Sequence, residues 1–482
     1  MKKTFLERYS FIILICLVFT SLLQVGILWS YHNHGVPISF LKMVMGYEQE
    51  ELNRGDFFRP YKINILNGYD EPDVSLTLRY EDFGGYWEVL KDNLVGLFND
   101  GELALVEDYS DEKWAGYLRK PAVLVKFHNE FHVDMLKYFL DLDEESQIQI
   151  ESLEKILFSL DSRKRNIDVY IVNSQNIYSY SMAVNDEFKT LFDESFLEGI
   201  DNNRFFGFSL LQEIFPQSEM APFYFLPDVD VYVRGERFLP INNLQVSLPE
   251  WLGKEKQELK YVNKAANDIL GEDRYSYHAD IDEAGNVVLG NINHIYRISS
   301  DGFLEYKYLG DNINSQEVIV GEAFEEAIDF IIGKNSWNNL NHLYLSDAYY
   351  EDDKNLYTFV FDYAVDDLLV LFKSSDGKGY ENFASITTDG YNVLDANMVV
   401  RKISEQNKVN YFDTSFRSFS SNLFREFEIN ELEDMNIKEL FVGYVHDLDA
   451  EGSFTPYWLI KEGDNSFLSL SMGTRRDFYG LE

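Results

Sequence analysis

The sequence predicts an α+β protein: a single N-terminal transmembrane helix followed by a multidomain ectodomain of helix-plus-antiparallel-sheet modules. Three observations predict this fold class. Residues 11–29 carry no charge, hydrophobic periods of about 3.6 and 2 residues alternate from residue 60 onward, and 45% of the 482 residues are hydrophobic. That content suffices for packed cores, so we expect a globular region after the apolar run.

The apolar run at residues 11–29 is long enough to cross a membrane. At ~1.5 Å per helical residue it covers ~30 Å, the thickness of the hydrocarbon layer. Lys2, Lys3 and Arg8 precede it, and positive charge is retained on the cytoplasmic side. We therefore expect residues 1–10 in the cytoplasm and the bulk of the chain on the outer side of the cell membrane, held by a single-pass helix.

The residues that follow this run favour a retained signal anchor over a cleaved signal peptide. Trp29 and Tyr31 stand where a cleavage site would need small residues, and such rings suit the membrane interface. His32 and His34 would then lie at the level of the lipid headgroups. Because a zinc site needs three or four ligands, these two histidines favour a polar interfacial role.

Polar side chains inside the run are candidates for contact with another membrane helix. Thr20 and Gln24 are four residues apart and share a helix face, and Ser21 is adjacent. Lipid satisfies apolar side chains as well as a second helix would, so polar side chains supply specific contacts. The alternative is that Gln24 reaches the headgroups while the hydroxyl groups bond to their own helix.

Charge and cysteine content exclude several classes of protein. Lys and Arg total 42 against 82 Asp and Glu, a net charge of −40 that repels nucleic acid and anionic lipid. The sole cysteine, Cys16, lies in the apolar run, so the ectodomain has no disulfides and depends on ordinary cores. We expect no cofactor and no nucleic-acid partner.

Hydrophobic periodicity and the positions of proline and glycine divide the chain after residue 29 into four segments. Residues 30–59 are a polar linker, residues 60–230 an N-terminal α+β domain, residues 231–315 a middle α+β domain, and residues 316–482 a C-terminal α+β domain. The proline-rich stretch before residue 230 marks the end of the first domain.

The first domain mixes helices with short strands. Helical spacing of apolar residues predicts helices at 85–98 and 133–140, and a further helix from Leu153, Ile156, Leu157 and Leu160. Alternation predicts strands at 74–80, 103–106, 122–127, 167–172 and 177–181.

The middle domain begins with a strand at 228–235 and a helix at 259–270 that stops at Gly271. A meander of four strands follows, because short alternating runs are separated by Gly-containing turns. These strands cover residues 275–281, 286–292, 294–299 and 303–309.

The last domain repeats a helix-then-hairpin module, which predicts an internal repeat. The first copy has a helix at 321–333 and strands at 343–350 and 356–372. The second has a helix at 413–427 and strands at 440–446 and 454–470, at offsets of about 97 residues.

Candidate metal motifs fail on spacing. HNEFH, with His128, Glu130 and His132, has the histidine spacing of a zinc protease, but the glutamate must directly follow the first histidine to face the metal-bound water. DIDEAGN and DLDAEGS begin like calcium loops, yet Asn291 and Trp458 occupy the position of the bidentate glutamate. Both are more simply hairpin turns. No catalytic signature is present either, so we expect a protein that is not an enzyme.

Four sequence blocks together resemble the YycH family. They are QVGILWSYHNHGVPISFL, which begins within the anchor, GYWEVL in the first predicted helix, and TTDGYNVLDANMVVRKI and SFTPYWLI near the C-terminus. The resemblance implies a one-pass membrane protein whose ectodomain works with a paralogue, YycI, to control the essential sensor histidine kinase of a Gram-positive cell-wall two-component system. It also implies that residues 316–482 are similar in fold to YycI, and it transfers no catalytic residues.

We therefore expect a non-enzymatic regulator that binds a sensor histidine kinase and a YycI-like membrane protein. Thr20, Ser21 and Gln24 are the candidate contact residues. The alternative is an extracytoplasmic protein that binds cell-wall carbohydrate or modifies the wall, an option that 32 tyrosines and 38 phenylalanines keep open.

Overall fold

A computed structural model describes 23 segments of the chain, and all of them lie within the unit Arg54–Glu482. These segments are residues 57–66, 75–78, 80–118, 120, 122–142, 146, 148–160, 166–183, 188–189, 205–210, 225–227, 238–252, 259–310, 318–334, 342–351, 353–365, 368–373, 380–413, 422, 425, 439–446, 452–461 and 467–472.

A nine-stranded antiparallel sheet forms the first layer. Its strands are β1 (Lys62–Leu66), β2 (Ser75–Leu78), β3 (Glu102–Asp108), β4 (Ala122–His132), β5 (Ser152–Leu160), β6 (Asn166–Val172), β7 (Asn176–Ala183), β8 (Phe205–Leu210) and β9 (Phe225–Pro227). The spatial order is β3-β7-β6-β5-β4-β1-β2-β8-β9. The long central strands are buried because helices cover both faces.

Three helices accompany this sheet: α1 (Tyr80–Asp100), α2 (Asp111–Leu118) and α3 (Val133–Phe139). Trp114 of α2 packs in a cluster with Leu124 of β4, whereas Trp87 of α1 contacts Phe127 of the same strand. Side chains alternate along a strand, so these two helices lie against opposite faces of the sheet.

Strand β5 corrects the helix predicted from Leu153, Ile156, Leu157 and Leu160. The segment Ser152–Leu160 is a strand paired with β4 and β6. Leu153, Ile156 and Leu157 are all fully buried. Because residues on both faces of β5 are buried, its apolar residues do not follow the period of two that a half-buried strand shows, and their spacing matches that of a helix by coincidence.

A three-stranded sheet joins residues that are distant in sequence. It comprises β10 (Phe238–Ser247), β21 (Lys402–Asp413) and β23 (Gly452–Phe454), in the order β21-β10-β23. Strand β10 was not predicted, because a proline interrupts its pattern. The strand predicted at 228–235 lies outside the described residues.

The third sheet has thirteen strands and holds most of the C-terminal half. They are β11 (His278–Ile281), β12 (Val287–Gly290), β13 (His294–Ile298), β14 (Phe303–Tyr308), β15 (Leu343–Glu351), β16 (Leu356–Val365), β17 (Leu368–Lys373), β18 (Tyr380–Glu381), β19 (Ala384–Thr388), β20 (Val393–Val399), β22 (Glu439–His446), β24 (Pro456–Lys461) and β25 (Phe467–Ser471). The main path is β11-β12-β13-β14-β20-β19-β16-β17-β22-β24-β25, with β15 on β16 and β18 on β17. The first four strands are the predicted meander.

Helices α4 (Leu259–Leu270) and α5 (Val320–Lys334) pack on this sheet. Phe324 of α5 contacts the ring of Phe359 in β16 at 5.4 Å between centroids. Lys334 Nζ donates to the carbonyl of Ile269, 2.9 Å away, and so ties the two helices together. This packing leaves the opposite side of α5 facing solvent.

The two predicted hairpin modules have the same connectivity. Strands β15, β16 and β17 form one antiparallel meander, and β22, β24 and β25 form the other. They meet where β17 pairs with β22, a parallel pairing in an otherwise antiparallel sheet. The helix predicted at 413–427 lies almost wholly outside the described residues.

Phe57 and Phe58, which we name the aromatic joint, connect the cores of the first and third sheets. The ring of Phe58 stacks on Phe127 at 4.9 Å and on Phe139 at 5.8 Å. Phe57 contacts Phe324 of α5 edge to face at 5.4 Å. Both side chains are buried, although the sequence places them at the end of the predicted linker.

Backbone hydrogen bonds hold the aromatic joint from both sides. The indole Nε1 of Trp87 donates to the carbonyl of Phe58 at 3.2 Å. The amide of Leu345 in β15 donates to the carbonyl of Phe57 at 3.3 Å. Phe57 and Phe58 therefore lie between the N-terminal and C-terminal parts of the folded unit.

The described residues confirm an α+β fold rich in sheet. None of the helices they form is long and apolar enough to span a membrane. The apolar run at 11–29 lies outside those residues and stays a prediction.

Candidate interaction surface

The predicted membrane contact residues Thr20, Ser21 and Gln24 lie outside the described part of the chain, as do His32 and His34. Their roles stay predictions. Any surface assigned from the structure must come from residues after position 56.

The HNEFH motif has a structural use. Nδ1 of His132 accepts a hydrogen bond from the amide of Asp134 at 3.5 Å and caps α3. A carboxylate oxygen of Glu130 accepts from the hydroxyl of Ser152, and the other accepts from the amide of Ser174 at 3.1 Å. Across the described residues, no group of three or more His, Cys, Asp or Glu could hold a metal ion.

The DIDEAGN segment forms the turn between β11 and β12. Oδ1 of Asp282 accepts from the amides of Ala284 and Asn286 at 3.0 and 2.9 Å. These bonds, with the Asn286 contacts foremost, lower the pKa of Asp282. Gly285 has a φ of 85°, which a glycine adopts without strain. Asp447 and Asp449 of the second candidate loop lie outside the described residues.

An exposed apolar patch lies where three turns meet beside the start of α5. We name it the hairpin patch; it consists of Ile319, Tyr350 and Tyr391, with exposed fractions of 61%, 38% and 60%. Ile319 directly precedes α5, Tyr350 lies near the end of β15, and Tyr391 lies in the β19–β20 turn.

Short contacts between neighbouring groups hold the three turns together. Oδ1 of Asn355 accepts from the amide of Val318 at 3.3 Å and from the Tyr350 hydroxyl at 2.6 Å. A Cβ added at Gly390 would lie 2.9 Å from Cγ1 of Val318, so the β19–β20 turn presses on the residue before Ile319. The hairpin patch is therefore one surface on a rigid support.

Four carboxylates continue from this patch along α5. Glu322, Glu325, Glu326 and Asp329 follow the spacing i, i+3, i+4, i+7, which places them on one side of the helix, and we name them the acidic stripe. The opposite side carries the buried Phe324 and its apolar neighbours. Within the described residues, no ion pair involves any member of the stripe.

The stripe holds carboxylates in a setting that disfavours negative charge. Burial raises the pKa of Glu326, and the nearby carboxylates of Asp329 and Asp389 add to the shift. Burial also raises the pKa of Asp329. A cation brought to this side of α5 would relieve the repulsion. Such an arrangement suits recognition of a positively charged group.

A second group of surface side chains, in which Tyr275, Ile292 and Leu309 are exposed and three rings are half-buried, lies at one end of the meander, and we name it the meander tip. Its members are Tyr275, Tyr277, Ile292, His294, Tyr308 and Leu309. The His294 ring lies 5.3 Å from Tyr308 and 6.2 Å from Tyr277, and its Nδ1 is 2.8 Å from the hydroxyl of Tyr306. Burial raises the pKa of Tyr306.

A buried Arg–His pair lies at the junction of the second and third sheets. Nη1 of Arg401 lies 3.1 Å from Nε2 of His446. Nε of Arg401 donates a hydrogen bond to the carbonyl of Asp301. Burial, with the Arg401 charge, lowers the pKa of His446 to about 3. The turn at Gly302 (φ 92°) admits Arg401, because a Cβ there would lie 2.7 Å from its Cγ. Sequence reasoning missed this pair.

Three of the four blocks that carry the family resemblance contribute buried residues to the core, and the fourth, QVGILWSYHNHGVPISFL, lies outside the described residues. Trp87 of GYWEVL, Trp458 of SFTPYWLI and Arg401 of the TTDGYNVLDANMVVRKI block are all nearly inaccessible. Asp389 of the same block organises the β19–β20 turn by accepting from the amides of Tyr391 and Asn392. The described blocks therefore contribute to the fold. The acidic stripe is visible in the sequence as carboxylates at helical spacing, but it was not predicted as a site.

The fold defines a class: a sheet-rich α+β protein. The crystal structure of YycH from Bacillus subtilis has a similar fold, with a TM-score of 0.51 and 12% sequence identity over 86% of this chain and 96% of that one. The crystal structure of an uncharacterized protein from Eubacterium rectale ATCC 33656 matches with a TM-score of 0.30 and 11% identity over 52% of this chain and 87% of that one. By sequence, no family model and no curated protein matches.

Proposed function

We propose that this protein is a non-enzymatic, membrane-anchored regulator that binds a sensor histidine kinase together with a YycI-like partner. One observation carries the proposal: the YycH-like fold extends over 86% of the chain and 96% of the Bacillus subtilis protein. Three of the sequence blocks that resemble the YycH family contribute buried residues to the core of the described fold, including Trp87 and Trp458.

The surfaces of the described residues support a role in binding. The hairpin patch and the acidic stripe combine exposed apolar rings with charge on a firmly packed helix, a composition that suits reversible contact between proteins. This role requires no catalytic residues and no cofactor.

The N-terminal run supports placement at the cell membrane. Residues 11–29 cross the bilayer, residues 1–10 remain in the cytoplasm, and the folded unit lies outside. Thr20, Ser21 and Gln24 contact the membrane helices of the partners in this proposal.

The aromatic joint supplies a route from the ectodomain to the anchor. Because Phe57 and Phe58 are buried between the two halves of the folded unit, a change in the packing of these halves displaces the chain that leads to the membrane. A partner that prefers one packing shifts the population toward it, and the kinase responds to that shift.

Co-purification of the full-length protein from cross-linked membranes tests this function. We expect a sensor histidine kinase and a YycI-like protein among the captured chains, identified by mass spectrometry. Gln24→Leu should reduce their recovery without lowering the amount of bait in the membrane. Leu22→Ala, on the other side of the helix, serves as the control. Absence of any histidine kinase from the wild-type capture refutes the proposal.

The meander tip favours a second candidate, binding of cell-wall carbohydrate. Tyr275 is 82% exposed, and exposed rings stack on sugar faces. Co-sedimentation with purified wall polysaccharide tests this. Binding that is lost in Tyr275→Ala with Tyr308→Ala, and kept in Tyr391→Ala, supports it; no sedimentation of the wild type refutes it.

A further inference from the structure

The hairpin patch and the acidic stripe form one continuous surface. The amide of Ala323 donates to the carbonyl of Ile319 at 3.1 Å, so Ile319 stands at the first position of the α5 hydrogen-bond ladder. Glu322 follows three residues later, and side chains at this spacing are neighbours on a helix. Apolar and acidic groups therefore lie side by side at one end of α5.

Like charges at this spacing weaken the helix that carries them. Glu322 and Glu326 are four residues apart, as are Glu325 and Asp329, and both pairs repel. Among the described residues of α5 the one basic side chain is Lys334, at the far end, where it bonds to Ile269. Within the described residues, no ion pair offsets the repulsion between these carboxylates of α5.

We propose that this surface, in the proposed regulatory function, docks a protein segment that carries Lys or Arg side chains next to an apolar side chain. The apolar side chain covers Ile319, Tyr350 and Tyr391, and the cations face the acidic stripe. Charge complementarity selects this occupant. Nucleic acid and anionic lipid carry the wrong charge for it.

The length of the stripe sets the spacing of the partner's cations. Glu322 and Asp329 are seven residues apart, which is ~10 Å along a helix. A partner helix that lies along α5 would match this with basic residues two turns apart. A partner with a single cation would engage only one end of the stripe.

Binding of a defined peptide to the full-length protein tests the surface. The probe is a fluorescent synthetic helix of leucine and lysine with lysines two turns apart, and its matched control carries glutamate in place of lysine. We expect anisotropy to report binding of the lysine peptide alone, with affinity falling as salt rises.

Two variants of the protein examine the two halves of the surface. One neutralises the stripe (Glu322→Gln, Glu325→Gln, Glu326→Gln and Asp329→Asn) and the other removes the patch (Ile319→Ser and Tyr391→Ser). We expect each to weaken binding about tenfold or more. The stripe variant removes repulsion within α5, so it should melt at or above the temperature of the wild type.

Matched controls change the same net charge and the same number of exposed apolar side chains elsewhere. They are Glu88→Gln, Glu250→Gln, Glu283→Gln with Glu305→Gln, and Leu105→Ser with Val106→Ser. Equal losses in controls and surface variants would mean binding by overall charge, and unchanged affinity in either surface variant would show that this face does not bind. Both results overturn the proposal.

Capture of the kinase separates this inference from the function on which it rests. If the wild type and the stripe variant capture the kinase equally, the docking surface is refuted and the regulatory function stands. If the wild type captures no kinase, the regulatory function fails, and the peptide measurements still decide whether the surface binds.

Discussion

The Arg401–His446 pair predicts that acid weakens strand β22. His446 is 1% exposed, and the rings of Phe454 and Phe372 lie 4.4 and 5.7 Å from its imidazole. Burial and the guanidinium of Arg401 lower its pKa to about 3, so the folded protein keeps this imidazole neutral across the physiological range.

The size of the effect follows from proton linkage. In the unfolded chain the imidazole has a pKa of ~6.5, so below that pH the unfolded state binds a proton that the folded state refuses. The stabilising contribution is complete above pH ~6.5 and declines as pH falls toward the folded pKa of about 3. Between pH 7 and pH 5 the expected loss is ~2 kcal/mol.

Hydrogen exchange measures this loss in the strand itself. The free energy of opening of β22 is obtained from its amides at pH 7 and pH 5, corrected for the intrinsic exchange rate, in the wild type and in His446→Gln. Glutamine leaves an acceptor for Arg401 and cannot titrate. Carboxylates such as Asp395, whose pKa burial raises, act in both proteins and cancel in the difference.

We expect the wild type to lose ~2 kcal/mol more than His446→Gln over this interval. An equal pH dependence in the two proteins would refute the reasoning, because it would mean that the imidazole is protonated in the folded state or does not face Arg401. A larger loss in the variant would contradict even the direction of the shift.

Three further predictions concern buried groups and metals. Neither the amide oxygen nor the amide nitrogen of the fully buried Asn64 has a hydrogen-bond partner, so Asn64→Leu should raise the free energy of unfolding by ~1–3 kcal/mol in urea titrations; a decrease would show that the amide is satisfied. Phe58→Ala should lower it by ~3–5 kcal/mol because it opens a cavity in the aromatic joint, whereas Ile292→Ala, at an exposed site, should stay within ~0.5 kcal/mol; similar values for both would place Phe58 outside the core. EDTA should leave the melting temperature unchanged, and a fall of more than ~5 °C would reveal a structural ion.

Much of the fold follows from local patterns. The meander of β11 to β14 and the helices α4 and α5 agree with the sequence because each has one buried face and clear punctuation by glycine. Strand β5 does not, because burial on both faces removes the period-two signal on which a strand prediction depends. The helix was predicted wrongly because burial of β5 on both faces depends on tertiary packing, which cannot be read from the local sequence.

The candidate surface was harder to predict than the fold. Ile319, Tyr350 and Tyr391 lie in three separate segments of the chain, and only tertiary packing brings them together. The carboxylates of α5 are visible in the sequence, but only the three-dimensional structure shows that, among the described residues, they form no ion pairs. The buried Arg401–His446 pair spans 45 residues and has no local signature.

The pairing of β10 has a consequence for the order in which the protein folds. Both of its neighbours, β21 and β23, come from the C-terminal part, and Asn243 bonds to Asn410 across 167 residues. At synthesis rates of ~5–20 residues per second, β10 waits roughly 10–30 s for its partner. During that time it is an edge without a sheet, open to pairing with other nascent copies. Pro240 and the bulge between Asn242 and Leu244 are the features that discourage such pairing, so the irregularity that hides β10 in the sequence also protects it while the chain is incomplete.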